Sequence, residues 1–297
     1  MLERHELEAF LTLAEELHFG RTAERLRVTT SRISQTIGKL ERRIGSALFE
    51  RNSRTVALTP LGRQLRDELR PAYEQITASV LAASRGGSVE RAITAGFSTP
   101  WCGNLLVRAA DLFRIRYPGA VIGIEEIQLT DPLRRMRSGA VDLQLTAFPI
   151  AEPDIMTGAV VFTEPRGLMV PEQHPFAAAE SVSVEDLADT KLITLVDASV
   201  PRYWMDCHFP RRTPAGRSIP QGPATTFWAE VLVHVSQGVG VSTVALRAER
   251  FHSHPGIVFV PFRDAPNIDY GLMWPRAGQH PLVPPFLETI TEAALSA

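Results

Sequence analysis

Residues 30–44 place hydrogen-bonding and cationic side chains along one side of a predicted helix. Arg32, Gln35 and Lys39 fall on the face opposite the apolar residues of the same segment. An arginine can bind guanine through two hydrogen bonds, and a glutamine can bind adenine in the same way. Lys39 is better suited to a phosphate, because its ammonium group is a point charge. The chemistry that these residues support is recognition of a nucleic-acid duplex.

Two short helices joined by a tight turn must position that face. The apolar stripe from Ile33 to Ile44 has helical spacing and predicts an amphipathic helix with a polar outer side. The turn at residues 28–30 carries two hydroxyls placed to cap the start of this helix, and Gly45 can end the helix. A shorter helical pattern at residues 22–26 precedes the turn, so the whole segment predicts a helix-turn-helix.

A small hairpin, or wing, is predicted after this pair. Residues 55–59 alternate in the manner of a strand, and Asn52-Ser53 supplies a turn. Arg51 and Arg54 then lie near the tip of the hairpin. Thr59-Pro60 is the N-cap and first position of a further helix.

The helix that starts at Pro60 predicts a contact with a second copy of the chain. We expect Pro71 to kink or split this helix, and residues 85–88 to form a flexible linker and domain boundary. A single exposed helix with a near-heptad apolar seam usually pairs with a partner helix. The seam consists of Leu61, Leu65, Leu69, Ala72, Ile76, Ser79 and Ala83.

Positive charge is concentrated at the start of a chain whose formal charge is −2. Residues 1–63 contain eleven basic and eight acidic side chains, a net charge of +3, which leaves −5 on the remainder. A surface that faces a polyanion needs such cations, whereas a separate sensor domain does not.

From Val89 onward, short apolar runs alternate with helical patterns. This alternation predicts parallel sheets covered by helices, in two α/β lobes of similar size. In such sheets ligands bind beyond the carboxyl ends of strands, near helix N-termini.

The sequence resembles the LysR-type transcriptional regulators. The resemblance is carried by Phe10 and by "HFGRTAERLRVTTSRISQTIGKLERRIGSALFERNSRTVALTPLG", above all by Ser34, Leu40-Glu41, residues 48–51 and residues 58–62. It implies that the rest of the chain is a two-lobed effector-binding domain similar to periplasmic solute-binding proteins, and that the protein is a tetramer built from dimers.

The predicted fold is therefore α/β overall, with an all-α winged helix-turn-helix and a linker helix in front of the two-lobed domain. We expect the DNA-binding domain at residues 1–59, the dimerising linker helix and hinge at 60–88, and the effector-binding domain at 89–297. The candidate DNA-binding residues are Thr30, Ser31, Arg32, Ser34, Gln35, Thr36, Lys39, Arg43, Arg51 and Arg54.

The candidate effector site consists of residues that follow strands in both lobes. The resemblance implies that the family's inducer cleft lies at the same strand ends. An alternative is that Ser98 and Thr99 only cap a helix and that Trp101 only packs. Aromatic and hydroxyl side chains favour a small, partly apolar, acidic effector. The candidates are Ser98, Thr99, Trp101, Thr130, Phe148, Asp197, Ser199 and Thr226.

Other classes of protein find less support. A nucleophile elbow, a phosphate-binding loop and a dinucleotide fingerprint are all absent from the sequence, so we expect no enzyme and no cofactor. His252 and His254 lack further metal-ligand partners, and an exposed loop is the better interpretation. Cys102 at a helix N-terminus would suit a redox sensor, but packing is the more common role for Cys102 and Cys207.

The expected partners follow from this interpretation. They are double-stranded DNA with a roughly palindromic operator, a small-molecule effector, further copies of the chain, and RNA polymerase. An exported solute-binding protein would resemble the second part, but it would not carry the first 88 residues. No apolar run is long enough for a membrane helix, and we expect a cytoplasmic protein.

Overall fold

The computed structural model describes residues 3–51, 56–84, 92–196 and 199–295. The chain divides into two compact units, Met1–Leu81 and Ala82–Ala297. The predicted linker at residues 85–88 lies outside the described residues, and the domain limits at residues 59 and 88 remain predictions.

The predicted helix-turn-helix is present in the N-terminal unit. Thr29 Oγ1 accepts a hydrogen bond from the backbone N–H of Arg32, and Gly45 ends the second helix of the pair with φ of 81°. Both predicted ends are thus confirmed, the second because glycine adopts positive φ without a steric penalty. The helices of this part are α1 (Arg4–Glu16), α2 (Phe19–Leu26) and α3 (Thr30–Ile44).

The predicted wing is also present, as β1 (Phe49–Arg51) and β2 (Val56–Leu58), which pair antiparallel. The turn at Asn52-Ser53 lies outside the described residues. Glu41, in the last turn of α3, accepts the backbone N–H groups of Leu48 and Phe49 through its Oε1 atom. The wing is therefore fixed to the end of α3 by a side chain of α3 itself.

The linker helix α4 (Pro60–Ser84) is continuous through Pro71, so the predicted split there is wrong. Packing on both sides of the proline explains this: Leu65, Leu69 and Tyr73 lie against the core of the N-terminal unit. The Tyr73 hydroxyl also donates to Glu8 Oε1 at 2.8 Å. The N-cap is as predicted, because Thr59 Oγ1 accepts the N–H of Gly62.

The C-terminal unit contains two lobes. The first lobe comprises residues 92–164 and 268–295, and its five strands run in the order β4-β3-β5-β12-β6. Helices α5 and α9 pack on each other beside this sheet, around the buried rings of Phe113 and Phe286. The elements are β3 (Ala92–Phe97), α5 (Pro100–Arg116), β4 (Val121–Glu126), α6 (Arg134–Arg137), β5 (Leu143–Ala147), β6 (Ile155–Glu164), β12 (Ile268–Pro275) and α9 (Val283–Leu295).

The second lobe comprises residues 165–267. Its strands form the orders β10-β7-β11 and β8-β9, and a bridge between Leu192 and Val241 links the two groups. Short 3₁₀ helices lie at Pro175–Ala178, Val184–Asp189 and Leu246–Arg250. The other elements are β7 (Arg166–Pro171), β8 (Leu192–Leu195), α7 (Arg202–His208), β9 (Gln221–Thr225), α8 (Trp228–Ser236), β10 (Ser242–Ala245) and β11 (Ile257–Pro261).

The prediction of parallel sheets holds only in part. Strand β3 pairs parallel with β4 and β5, and β8 pairs parallel with β9. Strands β6, β7, β10, β11 and β12 make antiparallel pairs. The reason is that the chain crosses between the lobes twice, at Pro165 and at residues 262–267. The strands on either side of these crossings, β6 with β7 and β11 with β12, run antiparallel to the strands with which they pair.

Candidate DNA interface and effector cleft

The outer face of α3 carries the residues expected to contact bases. Ile33, Ile37 and Leu40 are buried on the inner face. This orientation leaves Thr30, Ser31, Arg32, Ser34 and Gln35 exposed, while Thr36 is half-buried. The structure therefore brings six of the predicted residues together on one surface.

Arg32 is available for a ligand on that surface. Its side chain has no ion-pair partner among the described residues, and Arg42 near the end of α3 shares this property. Several other arginines of the unit are paired, as is Arg25, which contacts Glu15 at 2.7 Å and Glu16 at 3.0 Å. Free cations are the ones that can neutralise phosphates or bind bases without first losing a partner.

Arg43 has a different environment from the one that the sequence predicts. Its guanidinium donates to both oxygens of Glu6, at 2.8 and 2.6 Å. Lys39 Nζ lies 3.5 Å from the same carboxylate. The two cations proposed for phosphates thus have an internal partner, and their contact with phosphate remains a prediction.

The wing residues are described only in part. Arg51 is the last residue of β1. Arg54 lies outside the described residues. Their roles in DNA binding remain predictions.

A cavity of about 360 Å³ lies between the two lobes of the C-terminal unit. Four predicted residues line it: Ser98, Thr99 and Trp101 from the first lobe, and Thr226 from the second. The structure therefore brings the strand ends of both lobes together, as the topology of the sheets leads one to expect.

Three other predicted residues do not line this cavity. Thr130 is preceded in the same loop by Gln128 and Leu129, which line it instead. The Phe148 ring is stacked so closely on Gly271 that an added Cβ there would lie 2.3 Å from it, and Ser199 is exposed elsewhere. Asp197 lies outside the described residues.

Neither the Ser98 nor the Thr99 side chain caps α5. Thr99 occupies the N-cap position, but its side chain makes no capping hydrogen bond and its hydroxyl contacts Cys102 Sγ at 3.1 Å. Ser98 is 8% exposed, and its hydroxyl oxygen has no hydrogen-bond partner within the described part of the protein. A buried hydroxyl without a partner is costly, so it marks a place where a ligand or water binds.

The far wall of the cavity comes from residues that the sequence patterns did not predict. The Trp204 indole donates to the carbonyl oxygen of Ala147 at 3.0 Å, which joins α7 to the end of β5. The His208 ring lies against Trp204, with centroids 4.2 Å apart. The signal available in the sequence was their spacing of four residues, which places both on one face of a helix.

His208 is neutral in this site. It is buried, and burial together with the charge of Arg166 lowers its pKa to about 3. Its Nε2 lies 3.0 Å from the carbonyl oxygen of Phe148. Because a carbonyl only accepts, Nε2 carries the proton, and the ring is a fixed donor to the first lobe.

His252 belongs to the cavity wall, and the prediction that it lies on an exposed loop is wrong. It is half-buried, and its ring centroid lies 5.3 Å from that of Trp228. Among the described residues, no group of three or more histidine, cysteine or acidic side chains is arranged to hold a metal ion.

Cys102 lies in the first turn of α5, as expected, but the protein buries it completely. Burial raises the pKa of its thiol to about 12, which outweighs the effect of the helix N-terminus. Cys207 is exposed.

Sequence models of known families match nearly the whole chain. Residues 5–63 match the bacterial regulatory helix-turn-helix protein, lysR family, and residues 86–295 match the LysR substrate binding domain. The chain belongs to the LysR family. It is a DNA-binding transcriptional regulator with a substrate-binding effector domain.

Individual relatives agree with this assignment. The transcriptional regulator AlsR of Bacillus subtilis is 28% identical over 292 residues, which cover 96% of this chain and 94% of AlsR. The hca operon transcriptional activator HcaR of Escherichia coli is 25% identical over 305 residues, with 99% of each chain covered. Both are regulators of transcription.

A solved structure shows the same fold. The LysR family regulator CbnR aligns over 99% of both chains with a TM-score of 0.64 at 19% identity. CbnR complexed with its target DNA aligns over 98% of this chain and 100% of CbnR with a TM-score of 0.59 at 19% identity. In the described part of this LysR protein, no helix is both long and apolar enough to span a membrane.

Proposed function

We propose that this LysR protein binds a small-molecule effector in the cavity between its lobes and that occupancy changes its affinity for an operator. The supporting observation is that both lobes line one cavity, into which the buried, unpartnered hydroxyl of Ser98 opens. A ligand there contacts both lobes at once, and it therefore binds the closed arrangement more tightly than the open one. Such a difference in affinity is what a shift between two states requires.

We further propose that α3 supplies the specific contacts to the operator. Arg32 is the candidate for guanine and Gln35 for adenine, with the wing holding phosphates or entering the minor groove. The exposure of Arg32, and its lack of an internal partner among the described residues, support this assignment.

Two copies of the chain present two such helices, and the operator is then roughly palindromic. Leu61 is 38% exposed and Ile76 59% exposed on α4, which supports pairing through this helix. Assembly into a tetramer of two dimers and contact with RNA polymerase belong to the same proposal. The protein then acts by binding alone, without catalysis and without a cofactor.

A cavity-filling variant tests the effector site. Thr226→Trp places a large ring in the cavity, and Ser199→Trp adds the same ring at an exposed position outside it. Operator fragments are first selected from genomic DNA, and a metabolite library is then titrated while operator affinity is measured.

We expect at least one metabolite to change the operator affinity of the wild type and of Ser199→Trp but not of Thr226→Trp. All three proteins should bind the operator when no metabolite is present. An unresponsive wild type, or a response that persists in Thr226→Trp, contradicts the proposed effector site.

A further inference from the structure

We propose that Arg166 is the anion-binding residue of the cavity and that it selects an effector carrying a carboxylate. This inference rests on the proposed function of the cavity. It adds the residue that holds the anion, and it narrows the small acidic effector expected from the sequence to a carboxylate held by a buried arginine.

Arg166 is a buried cation without a carboxylate partner. It begins β7, is 8% exposed and lines the cavity. Its Nε donates to the carbonyl oxygen of Pro266 at 3.4 Å, and no carboxylate among the described residues forms an ion pair with it. Burial lowers the pKa of Arg166, and Cys207 and Tyr270 only partly oppose this effect.

A buried guanidinium is normally paired, because an isolated charge loses much of its hydration on burial. Neither Glu164, two positions before Arg166, nor Glu126, which lines the cavity, forms an ion pair with Arg166. Glu164 binds Arg247 at 2.9 Å, and Glu126 lines the cavity from an exposed position. The missing partner of Arg166 is therefore expected to arrive with the ligand.

The other ionisable groups do not compete for an anion. The pKa of His208 is about 3, and burial also lowers the pKa of His252, so both rings are neutral near pH 7. Arg166 is thus the only cation among the described residues that line the cavity. One carboxylate is enough to neutralise it, and guanidinium and carboxylate match in geometry.

The remaining walls set the rest of the ligand. Trp101 and Tyr270 meet edge to face with centroids 5.9 Å apart, and Trp204 and Phe209 line the cavity from the second lobe. An apolar body fits between these rings, and the free Ser98 hydroxyl offers one more hydrogen bond. The chemical class is a small monocarboxylate with an aromatic or branched aliphatic body.

Arg166 also lies where the lobes are joined. Pro165 forms one crossing between the lobes, and Pro266 belongs to the other. The hydrogen bond between Arg166 and Pro266 is long, so a charge-assisted bond to a carboxylate replaces it at little cost. Binding of the anion thereby acts directly on the two segments that join the lobes.

The test compares acids with their uncharged counterparts. Phenylacetate, cyclohexanecarboxylate and 4-methylpentanoate are each titrated at millimolar concentration beside the primary amide of the same acid. Binding to the full-length protein is followed by tryptophan fluorescence, since all four tryptophans lie in the C-terminal unit. The variants are Arg166→Gln, Arg166→Lys and, as a matched control, Arg263→Gln, which removes an exposed arginine of the same lobe outside the cavity.

We expect the wild type and Arg263→Gln to bind at least one acid tenfold or more tightly than its amide. Arg166→Gln should lose that preference, and Arg166→Lys should retain part of it. Thermal unfolding provides a readout that is independent of the probes: Arg166→Met, which removes an unpaired buried charge, should unfold at a temperature equal to or above that of the wild type without ligand.

Three results would overturn the inference. The first is that the wild type binds no acid, or binds the acids no more tightly than their amides. The second is a preference for acids that survives in Arg166→Gln. The third is a lower unfolding temperature for Arg166→Met than for the wild type. An uncharged compound that changes operator affinity through the cavity would leave the proposed effector function in place while removing Arg166 as its anion site.

Discussion

The guanidinium of Arg43, near the end of α3, binds both carboxylate oxygens of Glu6 in α1. Glu6 is fully buried, and this pairing holds the pKa of its carboxyl at about 2. Glu6 Oε2 also accepts the backbone N–H of Glu3 at 3.1 Å, which caps α1. One carboxylate therefore fixes the start of α1 to α3.

Replacing that carboxylate should loosen the N-terminal unit. Glu6→Gln removes the ion pair between Glu6 and Arg43, and we expect a loss of about 2–3 kcal/mol in the free energy of unfolding. The pKa of Glu6 is lowered on folding, so its contribution is complete above about pH 4.5 and is lost as the pH falls toward 2. Far-UV circular dichroism across this range measures both effects.

Glu24→Gln is the matched control, because Glu24 is exposed and has no ion-pair partner among the described residues. Its stability should be close to that of the wild type. Equal stability of Glu6→Gln and Glu24→Gln would show that the pair with Arg43 contributes nothing.

Two glycines of the N-terminal unit should respond in opposite directions to the same change. A Cβ at Gly62 would lie 2.1 Å from the carbonyl oxygen of Leu48, so Gly62→Ala must displace α4 from the backbone just before β1. We expect a cost on the order of 3 kcal/mol. A Cβ at Gly38, inside α3, meets nothing within 4 Å, and Gly38→Ala should gain about 0.5–1 kcal/mol. Thermal unfolding that ranks the two variants in the reverse order would contradict the packing around these glycines.

The two cysteines should differ in reactivity. The pKa of the buried Cys102 thiol is about 12, whereas Cys207 is exposed. Because the thiolate is the reactive species, native protein at neutral pH should be alkylated at Cys207 alone. Mass spectrometry after brief treatment with iodoacetamide should find one label per native chain and two per denatured chain. Rapid labelling of Cys102 in the native chain would be inconsistent with the structure.

His208 should make the C-terminal unit sensitive to acid. Its pKa falls from 6.5 to about 3 on folding, so between these values the unfolded chain binds a proton that the folded chain does not. Stability therefore declines as the pH falls below about 6.5. His208→Gln keeps a donor for the Phe148 carbonyl. It should reduce the slope of the free energy of unfolding against pH by about 1 kcal/mol per pH unit.

Tryptophan fluorescence during urea unfolding follows this unit selectively. Burial also lowers the pKa of His174 and His252, which act in the same direction and remain in the variant. An unchanged slope in His208→Gln would mean that His208 titrates normally in the folded protein.

Local patterns in the sequence predict the N-terminal unit well. Thr29, Gly45 and Thr59-Pro60 mark helix ends through contacts with residues at most a few positions away, and such signals can be read without the fold. The wing strand at Val56–Leu58 follows from its alternation. The predicted split at Pro71 is wrong, and the packing around α4 that accompanies its continuity comes from other helices.

The order of strands and helices predicts the cavity, but many of the residues that line it cannot be predicted from the sequence. Ser98 and Thr226 follow strands, so their place is accessible from the order of elements. Arg166 contacts Pro266, 100 positions later in the chain, and Arg43 contacts Glu6, 37 positions earlier. A single sequence holds no signal for such pairs. The only sign of Arg166 in the sequence pattern is its position as a lone arginine just before the apolar run 167–171.

Selection and sequencing of genomic fragments retained by the full-length protein tests the central claim most directly. We expect a recurring site with two-fold related half-sites. Arg32→Ala should lower its affinity and relax the preference at one base position, whereas Arg54→Ala should weaken binding evenly across sequences. A wild-type protein that retains no fragment above background at low salt, or an Arg32→Ala variant with unchanged affinity and preference, would contradict the assignment of α3 as the helix that recognises DNA.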